Sequence, residues 1–454
     1  MAAHIKSCFI FLVLVVFATA AAAQTRNDDV TAHAELKRIA DYLAAANLYS
    51  GTMMLTVDGH SFEPVVVKRQ DDKAAPVDVS TPFNMGSVGK LLTLAVILNK
   101  VEEGQLALDG TIAEYWPNSG MENAEQITIA QLLSHTSGYG NYFGAGNYSL
   151  EQRTIDDFLQ LIRSEGVEFA PEQGFSYSNS AFWILMRIAE KVDPQQRSWL
   201  ELFDAYVATP LDINLHRFQP DQDYNSRPAA LAVSPFGDVS PISAEKNDAR
   251  PGPDGGFYIT IGDLARFHAG LLDGDIVSPQ MLQQSTRKRS HFESLGCDIG
   301  LVWELCSYDN VEYRSKGGTT AGSGAGIFDW QIDGHQYRLV MLSNLYNAPL
   351  FVFPGIAREL TNDRDFVAPE TNEHPLAWLW QKVTADEVSQ VTREPDLWYQ
   401  QRGQFIGDLQ FIVFAMSAAR EGYQEAAEQL LQMHIIRHPE QGFAQRVLKR
   451  IQQG

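Results

Sequence analysis

The sequence is poor in cysteine and in positive charge, and its histidines lack metal-ligand spacing. Lys and Arg number 35 against 56 Asp and Glu, so the net charge of -21 would repel nucleic-acid phosphate and anionic lipid. The 11 histidines form no close pair such as His-Glu-x-x-His, which leaves a metal site with little support. Hydrophobic residues make up 45% of the 454 positions, enough for a well-packed domain with room for a second.

The N-terminal segment has the pattern of a signal peptide. Lys6 precedes an apolar run from Cys8 to Phe17, and small residues ending at Ala23 lead into a polar stretch. A membrane anchor is the weaker interpretation, because the run is about half the roughly 20 residues that span a bilayer and no later segment is long enough. We therefore expect residues 1–23 to be removed and the protein to be exported, periplasmic or secreted, without stable membrane insertion.

Two of the three cysteines remain in the mature chain. Cys297 and Cys306 flank the segment DIGLVWEL. In an oxidising compartment they could form a local disulfide, and two buried thiols are the alternative.

The patterning predicts strands at both ends of one domain with helices between them. A helix-like segment is followed by two apolar strands around Asp58-Gly59, a strong hairpin signal. Residues 105–250 are loop-rich with intervening helices. Four β-branched and aromatic runs then indicate consecutive antiparallel strands, GLVWELC, NVEYRSKGG, GAGIFDWQI and HQYRLVMLSNL. One sheet built from distant parts of the chain is therefore expected, in an α+β fold.

The composition turns polar and proline-bearing near residue 368, and strand patterning ends there. We place a boundary at this point and expect an all-α domain over 369–454, which could bind a protein partner. Its last two helices resemble a tetratricopeptide-like pair, but a small bundle is the simpler interpretation because stable arrays usually need at least three repeats. Helices are predicted near 378–391, 405–420, 423–436 and 442–451.

The stretch GSVGKLLTLAVILNK places Ser87 and Lys90 three residues apart at the start of an apolar helical run. Residues i and i+3 share a helix face, so the Lys90 nitrogen would lie beside the Ser87 hydroxyl, and the helix N-terminus favours an alkoxide. A serine hydroxyl needs an adjacent base to become a nucleophile, and desolvation lowers the pKa of a partly buried lysine towards that role. The alternative is a serine that caps the helix and a lysine that reaches solvent.

This motif and a Tyr-x-Asn motif each occur three times in the chain, so context must separate their copies. Ser-x-x-Lys recurs at 243–246 and 285–288, but only the copy at Ser87 precedes a long apolar helix that would bury its lysine. Tyr-x-Asn occurs at 139–141, 177–179 and 308–310, and the middle copy stands just before a helix. Lys316-Gly-Gly318 occurs once, at a predicted strand end, where glycines let a substrate backbone approach the strand edge.

In this order, Ser87-x-x-Lys90, Tyr177-Ser-Asn179 and Lys316-Gly-Gly318 resemble the three active-site motifs of the serine β-lactamase and penicillin-binding protein superfamily. The 90-residue separation of Ser87 and Tyr177 fits its class C type. The segments LLSHTSG, EEGQLALDGTIAEYWP, FAPEQGFSYSNSAF and GGFYITIGDLARF strengthen the resemblance, which spans about residues 35–362. It implies a β-lactamase/DD-peptidase-like antiparallel sheet flanked by helices, with an inserted helical region, within residues 24–368.

The resemblance also implies a role for each motif residue. Ser87 would form the acyl-enzyme, Lys90 would hold or remove its proton, and Tyr177 would be the general acid/base. The backbone N–H groups of Ser87 and Thr319 would form the oxyanion hole, which typically lowers a barrier by several kcal/mol. The substrate-binding residues would be Asn179, Lys316, Gly318 and Thr319. His135 is expected to fix a loop near the cleft rather than to act as the base.

Two departures from the family pattern leave the substrate open. Gly89 and Gly317 stand where relatives often carry a hydroxyl, and its loss at 317 weakens the expectation of β-lactam carboxylate recognition. We therefore expect a cofactor-free serine hydrolase acting on a D-amino-acid peptide, in the manner of a D-alanyl-D-alanine carboxypeptidase, or on a carboxylic ester. The alternatives are a β-lactamase and a non-catalytic module that binds muropeptides.

Overall fold

A computed structural model describes most of the chain. The described residues are 31–45, 48–68, 77–142, 154–216, 231–233, 239–241, 251–293, 295–308, 311–320, 323–345, 348–361, 375–401, 408–439 and 442–452. The predicted signal peptide, the Ser-x-x-Lys copy at 243–246 and the domain boundary at 368 lie outside these residues.

Strands are concentrated in residues 51–84 and 290–343, helices predominate between these two regions, and a helical segment follows. The strands are β1 Gly51–Val57, β2 His60–Ser61, β3 Val65–Val67, β4 Phe83–Asn84, β5 Leu231–Val233, β6 Val239–Pro241, β7 Tyr258–Ile259, β8 Ser290–Phe292, β9 Cys297–Ile299, β10 Glu304–Tyr308, β11 Val311–Thr320, β12 Ser323–Ile332 and β13 His335–Ser343. The helices are α1 at 31–45, α2 Lys90–Glu102, α3 Ile112–Tyr115, α4 Ile129–Leu133, α5 Ile155–Glu165, α6 Ser180–Val192, α7 Trp199–Phe203, α8 Thr209–Leu211, α9 Ile261–Asp273, α10 Pro279–Ser285, α11 Ala348–Thr361, α12 Pro375–Thr384, α13 Val388–Arg393, α14 Pro395–Gln401, α15 Asp408–Arg420, α16 Gln424–Arg437 and α17 Gly442–Gln452.

One antiparallel sheet joins the first and last strands of residues 51–343. Its strand order is β2-β1-β13-β12-β11-β10-β9-β8, and β3 also pairs with β1. The hairpin turn between β1 and β2 is at Asp58-Gly59, where both residues have positive φ. Because β1 pairs with β13 along its whole length, the prediction of a sheet built from distant segments is confirmed.

Each face of the sheet supports its own hydrophobic core. Along β13, Val340 and Leu342 enter one core, whereas Leu339 and Met341 enter the other, as the two-residue period of a strand requires. The first core includes α2, α6 and α9, and the second includes α1 and α11. The α+β architecture of a sheet flanked by helices is therefore confirmed. Helix α2 is buried on almost every side, which fits its continuous apolar sequence.

The structure contains the disulfide and not the alternative of two buried thiols. Cys297 of β9 and Cys306 of β10 are bonded, with a Cα–Cα distance of 4.5 Å. Since β9 and β10 also pair as neighbouring strands, the disulfide ties this end of the sheet covalently.

The C-terminal helices form a separate hydrophobic cluster, which includes Leu379, Ile412 and Leu430. The helix predicted near 378–391 is wrong in extent: it divides into α12 and α13 at Asp386, whose φ is positive. Helix α14 was missed, although its first residue is a proline, a favoured opening position. The expectation that the C-terminal helices bind a protein partner stays a prediction. Among the described residues, no helix combines the length and apolar character needed to cross a membrane.

Candidate active site

Ser87 lies in a 3-10 turn, Gly86–Gly89, that is held in place from both sides of the cleft. The Asn84 side chain accepts the Gly86 N–H at 2.8 Å, and Met85 N donates to Phe257 O at 2.8 Å. Helix α2 begins only at Lys90, and no side-chain capping bond occurs at the turn. Ser87 is therefore not a helix cap, and its side chain remains partly exposed at the cleft.

Lys90 is fully buried, and three acceptors surround its nitrogen. Nζ donates to Ser87 Oγ at 3.0 Å, to Asn179 Oδ1 at 2.5 Å and to the Asp254 carbonyl oxygen at 2.8 Å. An ammonium group has three hydrogens, so these three acceptors use all of them. The arrangement places the Lys90 nitrogen directly against Ser87 Oγ, where it can stabilise negative charge on that oxygen.

Tyr177 lies between the two lysines of the site. Lys90 Nζ and Lys316 Nζ each lie 5.1 Å from the centre of its ring. Burial by itself raises the pKa of Tyr177, but the charges of Lys316 and Lys90 and a hydrogen bond with Ser87 together bring it below the usual value. Such a phenol can form a phenolate beside Ser87 more readily than a tyrosine in water.

The loop that carries Tyr177 is clamped by His135, which is buried and has a φ of 61°. His135 Nδ1 accepts the N–H of Ser178 at 3.1 Å, its carbonyl accepts the N–H of Ser176 at 3.1 Å, and its ring stacks on Tyr177 at 4.5 Å. Burial, together with the charges of Lys316 and Lys90, holds the pKa of His135 well below its usual value. A neutral ring whose Nδ1 already accepts a bond fits a role in positioning the loop.

Asn141 links the two residues of the Tyr-x-Asn motif. Its Oδ1 accepts from Asn179 N at 3.1 Å and Asn179 Nδ2 at 2.6 Å, while its Nδ2 donates to Tyr177 O at 2.8 Å. Because Asn179 Oδ1 faces Lys90, the amide orientation of Asn179 is fixed at both ends. Asn141 was overlooked at the sequence level, where its own Tyr-x-Asn copy had no distinguishing context.

Lys316 lies inside β11 and not at a strand end as predicted, because the pairing of β11 with β12 continues as far as Thr320. Its side chain is buried in an ion pair. Its Nζ donates to Glu304 Oε1 of β10 at 2.5 Å. Although burial alone lowers the pKa of this lysine, the Glu304 carboxylate and Tyr177 raise it above the usual value. Glu304 was not among the predicted residues, and no motif marks it.

The strand edge after Lys316 packs closely on the nucleophile turn. A Cβ on Gly86, whose φ is +48°, would lie 2.6 Å from Thr319 N, and one on Gly318 would lie 2.8 Å from Ser87 N. Glycine at both positions therefore lets the N–H groups of Ser87 and Thr319 approach one another, as an oxyanion hole requires. All seven predicted site residues thus lie close together in the structure: Ser87, Lys90, Tyr177, Asn179, Lys316, Gly318 and Thr319.

Asp254 is a further residue of the site that no sequence motif marks. Its backbone carbonyl accepts from Lys90, and its carboxylate accepts the Tyr142 hydroxyl at 2.9 Å. Burial raises the pKa of this carboxyl group, although Lys90 and Tyr142 act in the opposite direction. No group of three or more His, Cys, Asp or Glu side chains suited to a metal occurs in the described part of the chain.

Comparisons with known proteins identify the family and the fold. The sequence model of the Beta-lactamase family matches residues 36–351. Penicillin-binding protein 4 of Amycolatopsis lactamdurans is 29% identical over 59% of this chain and 73% of its own length. Esterase EstB of Burkholderia gladioli is 29% identical over 38% of this chain and 46% of its own.

A solved structure shows the same fold at low sequence identity. The D-amino acid amidase from Ochrobactrum anthropi SV3, complexed with L-phenylalanine amide, aligns with a TM-score of 0.58 and 17% identity. The alignment covers 72% of this chain and 96% of the amidase. With the family match spanning most of the chain, the protein belongs to the β-lactamase family of the serine β-lactamase and penicillin-binding protein superfamily.

Proposed function

We propose that the protein is a serine hydrolase that cleaves an amide or ester bond through an acyl-enzyme on Ser87. One observation carries this proposal: a buried Lys90 donates to Ser87 Oγ, and its other two hydrogens are engaged by Asn179 and Asp254. A lysine held in this way stabilises a negative oxygen at Ser87. An ordinary surface serine has no such partner.

Acylation begins with Tyr177 as the phenolate. It takes the Ser87 proton, and Oγ forms a bond to the substrate carbonyl carbon while the carbonyl π electrons move to the oxygen. The N–H groups of Ser87 and Thr319 bind that oxyanion. Tyr177 then gives its proton to the departing nitrogen or oxygen, the bond to the leaving group breaks, and the acyl group remains on Ser87.

Deacylation repeats the sequence with water as the nucleophile. Tyr177 removes a proton from water, the hydroxide adds to the acyl carbon, and the proton returns to Ser87 Oγ as the acid leaves. Lys90 keeps its three hydrogen bonds throughout, so it serves as a fixed positive charge rather than as a proton carrier.

The substrate class is an ester or an amide of a D-amino acid. The family includes an esterase and the fold includes a D-amino acid amidase, which supports both leaving-group types. An ester and an amide would both be cleaved through the same acyl-enzyme. They differ in the leaving atom that Tyr177 protonates, which is oxygen in the ester and nitrogen in the amide.

The test combines labelling with kinetics. A fluorophosphonate probe should label Ser87, located by mass spectrometry, and the protein should hydrolyse a nitrophenyl ester. A D-Ala-D-Ala peptide and a chromogenic cephalosporin then separate a peptidase and a β-lactamase from an esterase.

The matched control is Lys288→Met, which alters the exposed lysine of the Ser-x-x-Lys copy at 285–288 and should leave labelling unchanged. Lys90→Met should slow it strongly. Absence of any adduct together with tight muropeptide binding would instead establish a non-catalytic module.

A further inference from the structure

The ion pair between Glu304 and Lys316 is closed on every side by the protein. Glu304 Oε1 accepts from Lys316 Nζ at 2.5 Å, and Oε2 accepts from Gly317 N at 3.1 Å and from Ser315 Oγ at 3.3 Å. Glu304 is 5% exposed and Lys316 is 1% exposed. The carboxylate therefore uses both of its oxygens on β11, and it neutralises the lysine from within the sheet.

This pairing changes what the lysine can do for a substrate. A buried ammonium without a counter-charge attracts a carboxylate strongly, because a hydrogen bond between charged groups gains strength away from water. Here the protein itself supplies the carboxylate. A substrate carboxylate approaching Lys316 would compete with Glu304 and be repelled by it, and Gly317 adds no hydroxyl to bind it.

We propose that Glu304 determines substrate specificity by holding Lys316 in a neutral ion pair, so that the cleft selects acyl donors with no carboxylate beside Lys316. Esters and amides of D-amino acids meet this condition, whereas peptides and β-lactams with a free carboxylate at that place do not. The inference rests on the proposed function and narrows its substrate class. Glu304 acts through Lys316 and need not touch the substrate.

The same pair influences Tyr177. Charged and titratable groups face this phenol from four parts of the fold: Lys90 of α2, Lys316 of β11, Glu304 of β10 and His135 after α4. The two lysines lower the pKa of Tyr177 and Glu304 raises it. Removing the Glu304 charge should therefore move the Tyr177 pKa further down, which provides a second and independent readout.

The first experiment uses the unaltered full-length protein and reversible boronic acids. Phenylboronic acid and its ortho-, meta- and para-carboxy derivatives form an O–B bond with Ser87, whose proton passes to Tyr177, so affinity can be measured by calorimetry without turnover. We expect no carboxy isomer to bind more tightly than phenylboronic acid. An isomer that binds about tenfold more tightly would overturn the inference. Binding of none of the four would overturn the proposed nucleophile, and the inference with it.

The second experiment compares Glu304→Gln with the charge-retaining Glu304→Asp. In Glu304→Gln the best carboxy isomer should gain about tenfold in affinity relative to phenylboronic acid. The acid limb of kcat/KM for a nitrophenyl ester should also move to lower pH. Glu304→Asp should keep the original selectivity and pH profile. A folded Glu304→Gln protein with unchanged selectivity and pH limb would contradict the inference, and if this variant does not fold, the wild-type measurement still decides.

Discussion

The Ser-x-x-Lys spacing occurs in two described places, and the two copies have opposite environments. Ser87 lies in a turn that precedes a helix, and Lys90 opens that helix with its side chain fully buried. Ser285 is the last residue of α10, and the Lys288 side chain beyond it is 64% exposed and pairs with Asp298. The same spacing therefore occurs in two different environments, and the pair that we propose to be catalytic is the one whose lysine is buried among three acceptors.

The largest expected difference separates Ser87→Ala from Ser285→Ala. Ser87→Ala should lower kcat/KM for a nitrophenyl ester by about 10⁴-fold or more and abolish fluorophosphonate labelling, because the nucleophile is removed. Ser285→Ala should keep the activity but lower the melting temperature, because Trp303 Nε1 loses its acceptor at a cost of about 1–3 kcal/mol. Equal losses of activity in both variants would remove the distinction.

The lysines provide the next contrast. Lys90→Met should lower kcat/KM by about 10³-fold, because the developing alkoxide loses its fixed positive charge. Lys288→Met, in solvent, should match the wild type. Circular dichroism confirms that both variants are folded, and a fully active, folded Lys90→Met protein would contradict the proposed mechanism.

The pH dependence tests the proposed role of Tyr177 as the base beside Ser87. The active form of Tyr177 is the phenolate, so kcat/KM should fall as the pH falls through its lowered pKa. Tyr177→Phe should abolish this acid limb. Lys316→Met removes a charge that lowers the pKa and should shift the limb to higher pH. If the acid limb did not move in Lys316→Met, it would report the titration of a group other than Tyr177.

The smallest effect concerns the second duplicated motif. Asn141→Ala should lower kcat by about tenfold, because Asn179 loses the bonds that orient it towards Lys90. Tyr139→Phe, in the same Tyr-x-Asn copy, removes only a bond to the Glu122 carbonyl and should cost about 1 kcal/mol of stability without affecting kcat. If Tyr139→Phe lowered kcat more than Asn141→Ala did, the proposed role of Asn141 would be wrong.

The sheet and the main helices could be predicted because their signals are local. Alternation in β13 and the continuous apolar sequence of α2 reflect contacts that every strand or buried helix makes. The break at Asp386 could not, because a single positive φ in an otherwise helical sequence has no strong residue signal. The predicted start of α2 was three residues too early, because a 3-10 turn often precedes an α-helix and residue types do not distinguish the two.

The site was predictable where side chains repeat a motif and unpredictable where folding brings partners together. Ser87 and Lys90 are neighbours in sequence, whereas the third acceptor of Lys90 is a backbone carbonyl, that of Asp254, whose position no side chain reveals. Glu304 reaches Lys316 only through the pairing of β10 with β11. Asn141 belongs to the Tyr-x-Asn copy at 139–141, and its proposed role depends on contacts with Tyr177 and Asn179, which are distant in sequence.

The close packing of Gly89 and Gly255 has an evolutionary consequence. A Cβ on Gly89 would lie 2.7 Å from the Gly255 Cα, and one on Gly255 would lie 2.1 Å from the Gly86 carbonyl oxygen. A side chain at either position would require the turn at 86–89 and the backbone at Gly255, the neighbour of Asp254, to move apart. A side chain with a hydroxyl at position 89 would need a compensating shift of the backbone at Gly255, so we expect these two positions to vary together in evolution.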